Sequence, residues 1–155
     1  MRLPPHFDMA AFPDQQLVLS NELCAFLTIP ERLTLPGSGL IVPFAPRVTV
    51  FDLTPQEWAA TYDLLQEAKR YIDELHAPDG YNVGWNNGRV AGQTIPQVHL
   101  HVIPRFADEP LAGRGIRWHL KQPQNRRPAR GGSGSARGGV AAPAGRACAH
   151  TQLGA

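Results

Sequence analysis

The chain has 155 residues, 43% of them hydrophobic and 18% charged, which fits one domain with a packed core. Its two cysteines, Cys24 and Cys148, are too few for a disulfide framework or a four-thiolate zinc site. No apolar run reaches the roughly 18 residues of a membrane span, and the N-terminal MRLPPHFDMAAF lacks the apolar stretch of a signal peptide, so a reducing, cytoplasmic setting is expected.

The elements follow in chain order. Residues 15–20 and 23–29 read as two short strands joined at Ser20-Asn21-Glu22, a hairpin. Pro36-Gly37-Ser38-Gly39 signals a turn, and residues 40–44 read as a buried strand. Residues 45–53 are ambiguous. Thr54-Pro55-Gln56-Glu57 carries an N-cap, a proline at the first helical position and the acid of a capping box. Trp58, Tyr62, Leu65, Ala68, Ile72 and Leu75 then recur at spacings of three and four, which predicts an amphipathic helix of about 20 residues with that stripe in the core. Pro78-Asp79-Gly80 stops it. Residues 81–85 read as a strand, Asn86-Asn87-Gly88 as a turn or loop, and residues 97–105 as a strand in which Val98, Leu100 and Val102 alternate with polar neighbours. Three strands, a helix and two strands make an α+β fold with a mainly antiparallel sheet.

Charge divides the chain. Residues 1–109 hold 7 Lys and Arg against all 13 Asp and Glu, a balance of −6, whereas residues 110–155 hold 8 and none, a balance of +8. Glycine and alanine fill 14 of the last 25 positions, where only Val140 and Leu153 are large and apolar. Such a stretch buries too little surface to offset its ordering entropy. The expectation is a folded domain over residues 1–121 and a basic, disordered, solvated tail over residues 122–155, with nucleic acid a minor option.

The chemistry concentrates on the last strand. Alternate residues of a strand share a face, so Gln97, His99 and His101 line up there. Ahead of them Gly88-Arg89-Val90-Ala91-Gly92-Gln93-Thr94 offers amides, a Gln and a hydroxyl, suitable donors for phosphate oxygens. No acid falls between Asp79 and Asp108, so an anion is tolerated. His6, His76, His119 and His150 lack motif support and read as surface or tail residues. Cys24 reads as a buried, inert thiol. Trp85 faces either the core or a partner, and Trp118 packs on the core or edges a pocket. A His-x-His metal pair at His99 and His101 lacks evident further ligands at sensible spacing.

The run DGYNVGWNNGRVAGQTIPQVHLHVIPR, residues 79–105, resembles the signature of the histidine triad (HIT) superfamily, in which three histidines alternate with apolar residues. The similarity extends upstream through LPGSGLIVP and FDLTPQEW and covers roughly residues 15–105. The resemblance implies a small α+β fold, a homodimer, and a hydrolase cleaving nucleotides at the α-phosphate, with dinucleoside polyphosphates or nucleoside phosphoramidates as substrates. It assigns His99 as the nucleophile that forms a nucleotidyl-histidine, His101 as a ligand of the α-phosphate, Gln93 and Thr94 as contacts to phosphate and leaving group, and Asn86 and Gly92 as phosphate contacts. No metal is required on this scheme, although Mg²⁺ can accompany a polyphosphate substrate. Gln97 stands where the family has its first histidine, with the role of orienting His99. Where the family carries an Asp or Asn for the ribose hydroxyls this chain has Ile29-Pro30-Glu31, a poor match. A nucleotide-binding module without turnover is the alternative these departures leave open.

Overall fold

A computed structural model describes residues 3–31 and 34–127 of the chain. Five strands form one antiparallel sheet: β1 (Gln16–Ser20), β2 (Cys24–Thr28), β3 (Gly39–Pro43), β4 (Gly80–Trp85) and β5 (Leu100–Arg105), in the order β1-β2-β3-β5-β4. Among the described residues there is one long helix, α1 (Pro55–His76), between β3 and β4 in the sequence. This is the α+β pattern expected, with most boundaries within a residue or two.

Local chemistry explains the helix ends. The Glu57 amide donates to Thr54 Oγ1 at 3.2 Å, and the Thr54 amide donates to Glu57 Oε2 at 2.7 Å, closing the capping box. At the other end Ala77 takes a left-handed conformation, φ 45° and ψ 56°, just before Pro78, which cannot continue the helix.

The inner face of α1 differs from the expected stripe. Glu57, Thr61, Leu64, Ala68 and Ile72 are buried, while Trp58, Tyr62 and Leu75 are more than half exposed. Two polar residues at the start of the helix are admitted because they are paired. Glu57 meets Arg47, and Thr61 Oγ1 donates to the Glu57 carbonyl at 2.8 Å and lies 3.5 Å from Cys24 Sγ. Trp58 instead stacks on Trp85 of β4, ring centres 6.0 Å apart.

The core has two layers, one on each side of the sheet. Cys24, Phe26, Ile41, Leu100 and Val102 pack against Leu64, Ala68 and Ile72 of α1. Ala25, Leu27, Leu40, Val42 and Phe44 pack against Phe7 and Phe12 of the N-terminal segment. Both faces of β2 and β3 are therefore covered, which is why these strands read as continuous apolar runs. On the side away from α1 the N-terminal segment covers β2 and β3, and a C-terminal segment flanks β4 and β5. Arg105 pins that segment: its guanidinium pairs with Glu109 and Asn82 and donates to the carbonyls of Leu111 at 2.7 Å and Arg114 at 3.0 Å. A 3₁₀ helix, Ile116–Lys121, follows.

Of the expected tail, residues 128–155 lie outside the described residues. Residues 122–127 belong to the described chain and include a 3₁₀ turn, Pro123–Asn125. Among the described residues no helix is long and apolar enough to cross a membrane.

Candidate functional site

The strand that carries the histidines is shorter than its alternation suggests. β5 pairs with β3 from Leu100 to Val102 and with β4 from Leu100 to Arg105. Gln97, Val98 and His99 precede the first pair, so His99 is held by other bonds. Its ring Nδ1 lies 2.8 Å from the Gln97 main-chain carbonyl. A carbonyl oxygen only accepts, so Nδ1 carries a proton, and in the neutral ring the lone pair is on Nε2. Orientation of His99 thus comes from the backbone of residue 97. The Gln97 side-chain amide points elsewhere, donating to the Pro43 carbonyl at 2.9 Å.

His101 lies opposite Leu40 of β3, on the face away from α1, and its ring sits against His99 with centres 4.8 Å apart and planes at 73°. The Asn86 amide nitrogen is 3.4 Å from His101 Nε2, a long contact in which the amide can only donate. His99 is 5% exposed and His101 half-buried. Burial, and then the His99 ring beside it, hold the His101 imidazole below its ordinary value.

That depression sets a pH dependence. Between the native value and the ordinary 6.5 the unfolded chain binds more protons at this position than the folded one, so stability rises with pH there. The contribution of neutral His101 is complete above about pH 6.5 and is lost as pH falls below it. Thermal melts at pH 7.5, 6.5 and 5.5 are expected to show a steeper decline for the parent than for His101→Asn; equal slopes would sink this account.

The loop before the histidines is braced rather than open. Gln93 is buried at 7% exposure. Its Oε1 accepts from the Gly88 amide at 2.7 Å and its Nε2 donates to the Val48 carbonyl at 2.7 Å. Both ends of the side chain that was expected at the leaving group therefore hold main chain. Gly92 turns the loop at φ +92°, a conformation that suits glycine. Thr94 is exposed beyond it. The segment 45–53, unassigned from sequence, supplies the brace: Arg47 O accepts from Val98 N at 2.8 Å, and Val50 N donates to Asn87 Oδ1 at 2.9 Å. Nothing in the local sequence of that segment points to this role, because its partners lie about 40 to 50 residues away.

A cavity of about 730 Å³ opens beside Asn86, between Ile103 and Asn82 of the sheet and Arg114, Ile116 and Trp118 of the C-terminal segment. A smaller hollow of about 200 Å³ joins it to His101. The larger one is mostly apolar and of a size that suits a small organic ligand. Trp118, read as packing on the core or edging a pocket, edges this one. Glu31 is exposed and is not among the residues lining either hollow.

The HIT domain family model matches residues 12–108, and the chain belongs to the HIT domain family. It is similar to a bis(5'-nucleosyl)-tetraphosphatase of Schizosaccharomyces pombe, 28% identical over 103 residues that make up 66% of this chain and 57% of that one. It is also similar to an adenosine 5'-monophosphoramidase of the same organism, 33% identical over 94 residues, covering 61% of this chain and 65% of that one. The chain thus spans little more than half the length of the first relative and just under two thirds of the second. Among solved structures, a HIT family protein from Bacillus anthracis superposes with a TM-score of 0.56 at 29% identity, covering 61% of this chain and 66% of that one.

Proposed function

We propose that the chain is a nucleotide hydrolase that cleaves at the α-phosphate of dinucleoside polyphosphates or nucleoside phosphoramidates through a nucleotidyl intermediate on His99. The observation that carries this is the His99 Nδ1 bond to the Gln97 carbonyl, which in the neutral ring puts the lone pair on Nε2, with the His101 ring alongside. Both kinds of activity occur in the names of the relatives above.

In the first step the Nε2 lone pair forms a bond to the α-phosphorus and the bond from phosphorus to the leaving oxygen or nitrogen breaks; a leaving amine takes up a proton from solvent. The substituted imidazole is now cationic, and its Nδ1–H donates more strongly to the same carbonyl. Water then attacks phosphorus, the N–P bond breaks and returns its electron pair to Nε2, a proton of the water goes to solvent, and a nucleoside monophosphate leaves. His101, Asn86 and Thr94 face the phosphate oxygens; the Gly92 amide, expected as a phosphate contact, instead donates to the Arg89 carbonyl at 3.0 Å and closes the loop's turn, and Gln93 keeps that loop in place. Such transfers depend on positioning and charge stabilisation more than on covalent help. Mg²⁺ enters only as a companion of a polyphosphate substrate. The cavity beyond Asn86 takes the nucleoside, its base between Ile103 and Trp118. A reducing cytoplasm is the setting this chemistry fits.

Intact-mass spectrometry on diadenosine tetraphosphate and on an AMP phosphoramidate tests the function. One transient AMP on the parent, mapped to His99 and followed by free AMP, is expected. AMP binding with neither adduct nor release would replace the hydrolase with a nucleotide-binding module. Trp118→Ala is expected to raise the half-saturating concentration by about tenfold while leaving the adduct rate near that of the parent; an unchanged half-saturation would take the base out of this cavity.

We also infer a homodimer through β4. β4 is an edge strand, and beside it Trp58, Tyr62, Val83 and Trp85 line an apolar hollow of about 200 Å³; Trp58, Tyr62 and Val83 are exposed. An edge strand next to an apolar patch favours a matching copy. Light scattering should return twice the 16.9 kDa chain mass, and Val83→Lys should return the single mass; a parent at the single mass would overturn the dimer.

A further inference from the structure

His99 precedes the first pair of β5, so its position depends on bonds from elsewhere. Residues 43–50 provide them: the Pro43 carbonyl takes the Gln97 amide, the Arg47 carbonyl takes the Val98 amide, and the Val48 carbonyl takes the Gln93 side chain. Much of this segment is irregular, with only a short 3₁₀ turn, Val50–Asp52, at its end. Something must fix it in turn.

One side chain ties its middle to the helix. Arg47 Nε donates to both carboxylate oxygens of Glu57, at 3.1 and 3.2 Å. Glu57 is itself buried and locked into the first turn of α1 by the Thr54 amide. Burial alone would push its carboxyl up, but the Thr54 amide and Arg47 outweigh it and hold it below the ordinary carboxylate range. The acid therefore stays charged at neutral pH and keeps its partner.

We propose that Arg47 and Glu57 are a positioning pair for the catalytic histidine, transmitting the fixed start of α1 through the Arg47 carbonyl to Val98 and so to the Gln97 carbonyl that orients the His99 ring. The inference rests on His99 being the nucleophile. Arg47 touches no substrate; it acts through the backbone it holds. Its guanidinium is about one-third exposed, so as a stabilising ion pair alone it would contribute little. Its carbonyl holds the Gln97–Val98 peptide, whose own carbonyl orients the His99 ring, and that is what gives it leverage, because small misplacements of a reacting group cost rate steeply.

The test uses the full-length protein with Arg47→Met, Arg47→Lys and Glu57→Gln. Nitrogen-15 NMR of the histidine rings reads the His99 tautomer without any substrate. Single-turnover mass spectrometry reads adduct formation. For Arg47→Met the expected result is a cooperative melt near that of the parent, loss of the single-tautomer pattern at His99, and an adduct rate lower by about tenfold to a hundredfold. The half-saturating nucleotide concentration stays within twofold, and Arg47→Lys recovers much of the rate. Unchanged His99 signals with an unchanged rate would overturn the pair's role. So would a lower melt with a lower rate, a raised half-saturating concentration and no recovery by lysine, which is the mark of a merely structural contact. If the parent itself forms no adduct, the ring signals decide: altered in Arg47→Met, they keep the positioning role and remove the nucleophile; unaltered, they remove both.

Discussion

Replacing His99 with alanine is expected to lower nucleotide turnover by about 10⁴-fold or more, the scale on which enzymes lose rate when a nucleophile is removed. Affinity for AMP should change only a few-fold, because the ring Nε2 forms its bond in the reaction and not in the ground state. The structure supports such a separation. His99 is hydrogen-bonded to one main-chain acceptor, the Gln97 carbonyl, and its removal takes a ring contact from His101 but leaves Asn86 and the residues of the cavity in place. His99→Gly gives a second arm. The ring is 5% exposed, so its removal opens a hole of imidazole size next to the phosphate, and added imidazole should restore part of the rate. A His99→Ala protein that turns over within tenfold of the parent would remove the covalent mechanism. A parent with no turnover and a tight nucleotide complex would leave a binding protein.

The largest expected effect on stability is at Gly39. A Cβ at this position would lie 2.5 Å from Phe26 Cε2, 2.8 Å from Phe26 Cζ and 2.6 Å from the Leu27 carbonyl oxygen. Phe26 is fully buried against α1, and the carbonyl belongs to β2, so neither can yield cheaply. Gly39 pairs with Thr28 on one side and Val102 on the other, which leaves β3 no room to shift. Gly39→Ala is expected to destabilise by about 3 kcal/mol, the upper part of the range for overpacked cores, and to lower the melting temperature by roughly 10 °C. Adding Phe26→Leu should recover part of the loss, because it vacates two of the three contacts. Additive losses in the double variant would refute the steric account.

Much of this was legible in the residues, and the gaps have physical reasons. The capping box, the turns and the strand alternation depend on neighbours within a few positions, and they located every strand and the helix. Alternation along the strand predicts that His99 and His101 lie together, and their ring centres are 4.8 Å apart. The inner face of α1 was misread by about one residue, since Trp58 and Tyr62 are larger and more apolar than Glu57 and Thr61. The burial of Glu57 and Thr61 is satisfied partly by local partners, the Thr54 amide and the Glu57 carbonyl, and partly by Arg47 and Cys24, which lie farther off in the sequence. Gln97 was expected to orient His99 by its side chain, whereas its carbonyl does so, and a main-chain acceptor has no signature in sequence. Gln93 was expected at the leaving group for its chemistry, but the Gly88 and Val48 groups that occupy it are again backbone. The bracing segment 45–53 was silent for the same reason.

The buried thiol of Cys24 has a use unrelated to nucleotides. Desolvation pushes it to about 11, against the modest lowering by its Thr61 contact, and no part of the residue reaches solvent. At pH 8 such a sulfur is almost wholly protonated and shielded, whereas in an opened chain a sizeable fraction is thiolate. Alkylation at Cys24 therefore proceeds only as fast as β2 parts from α1. The protein carries in its central layer an internal clock for opening of the sheet, read out by the mass that an alkylating reagent adds at Cys24.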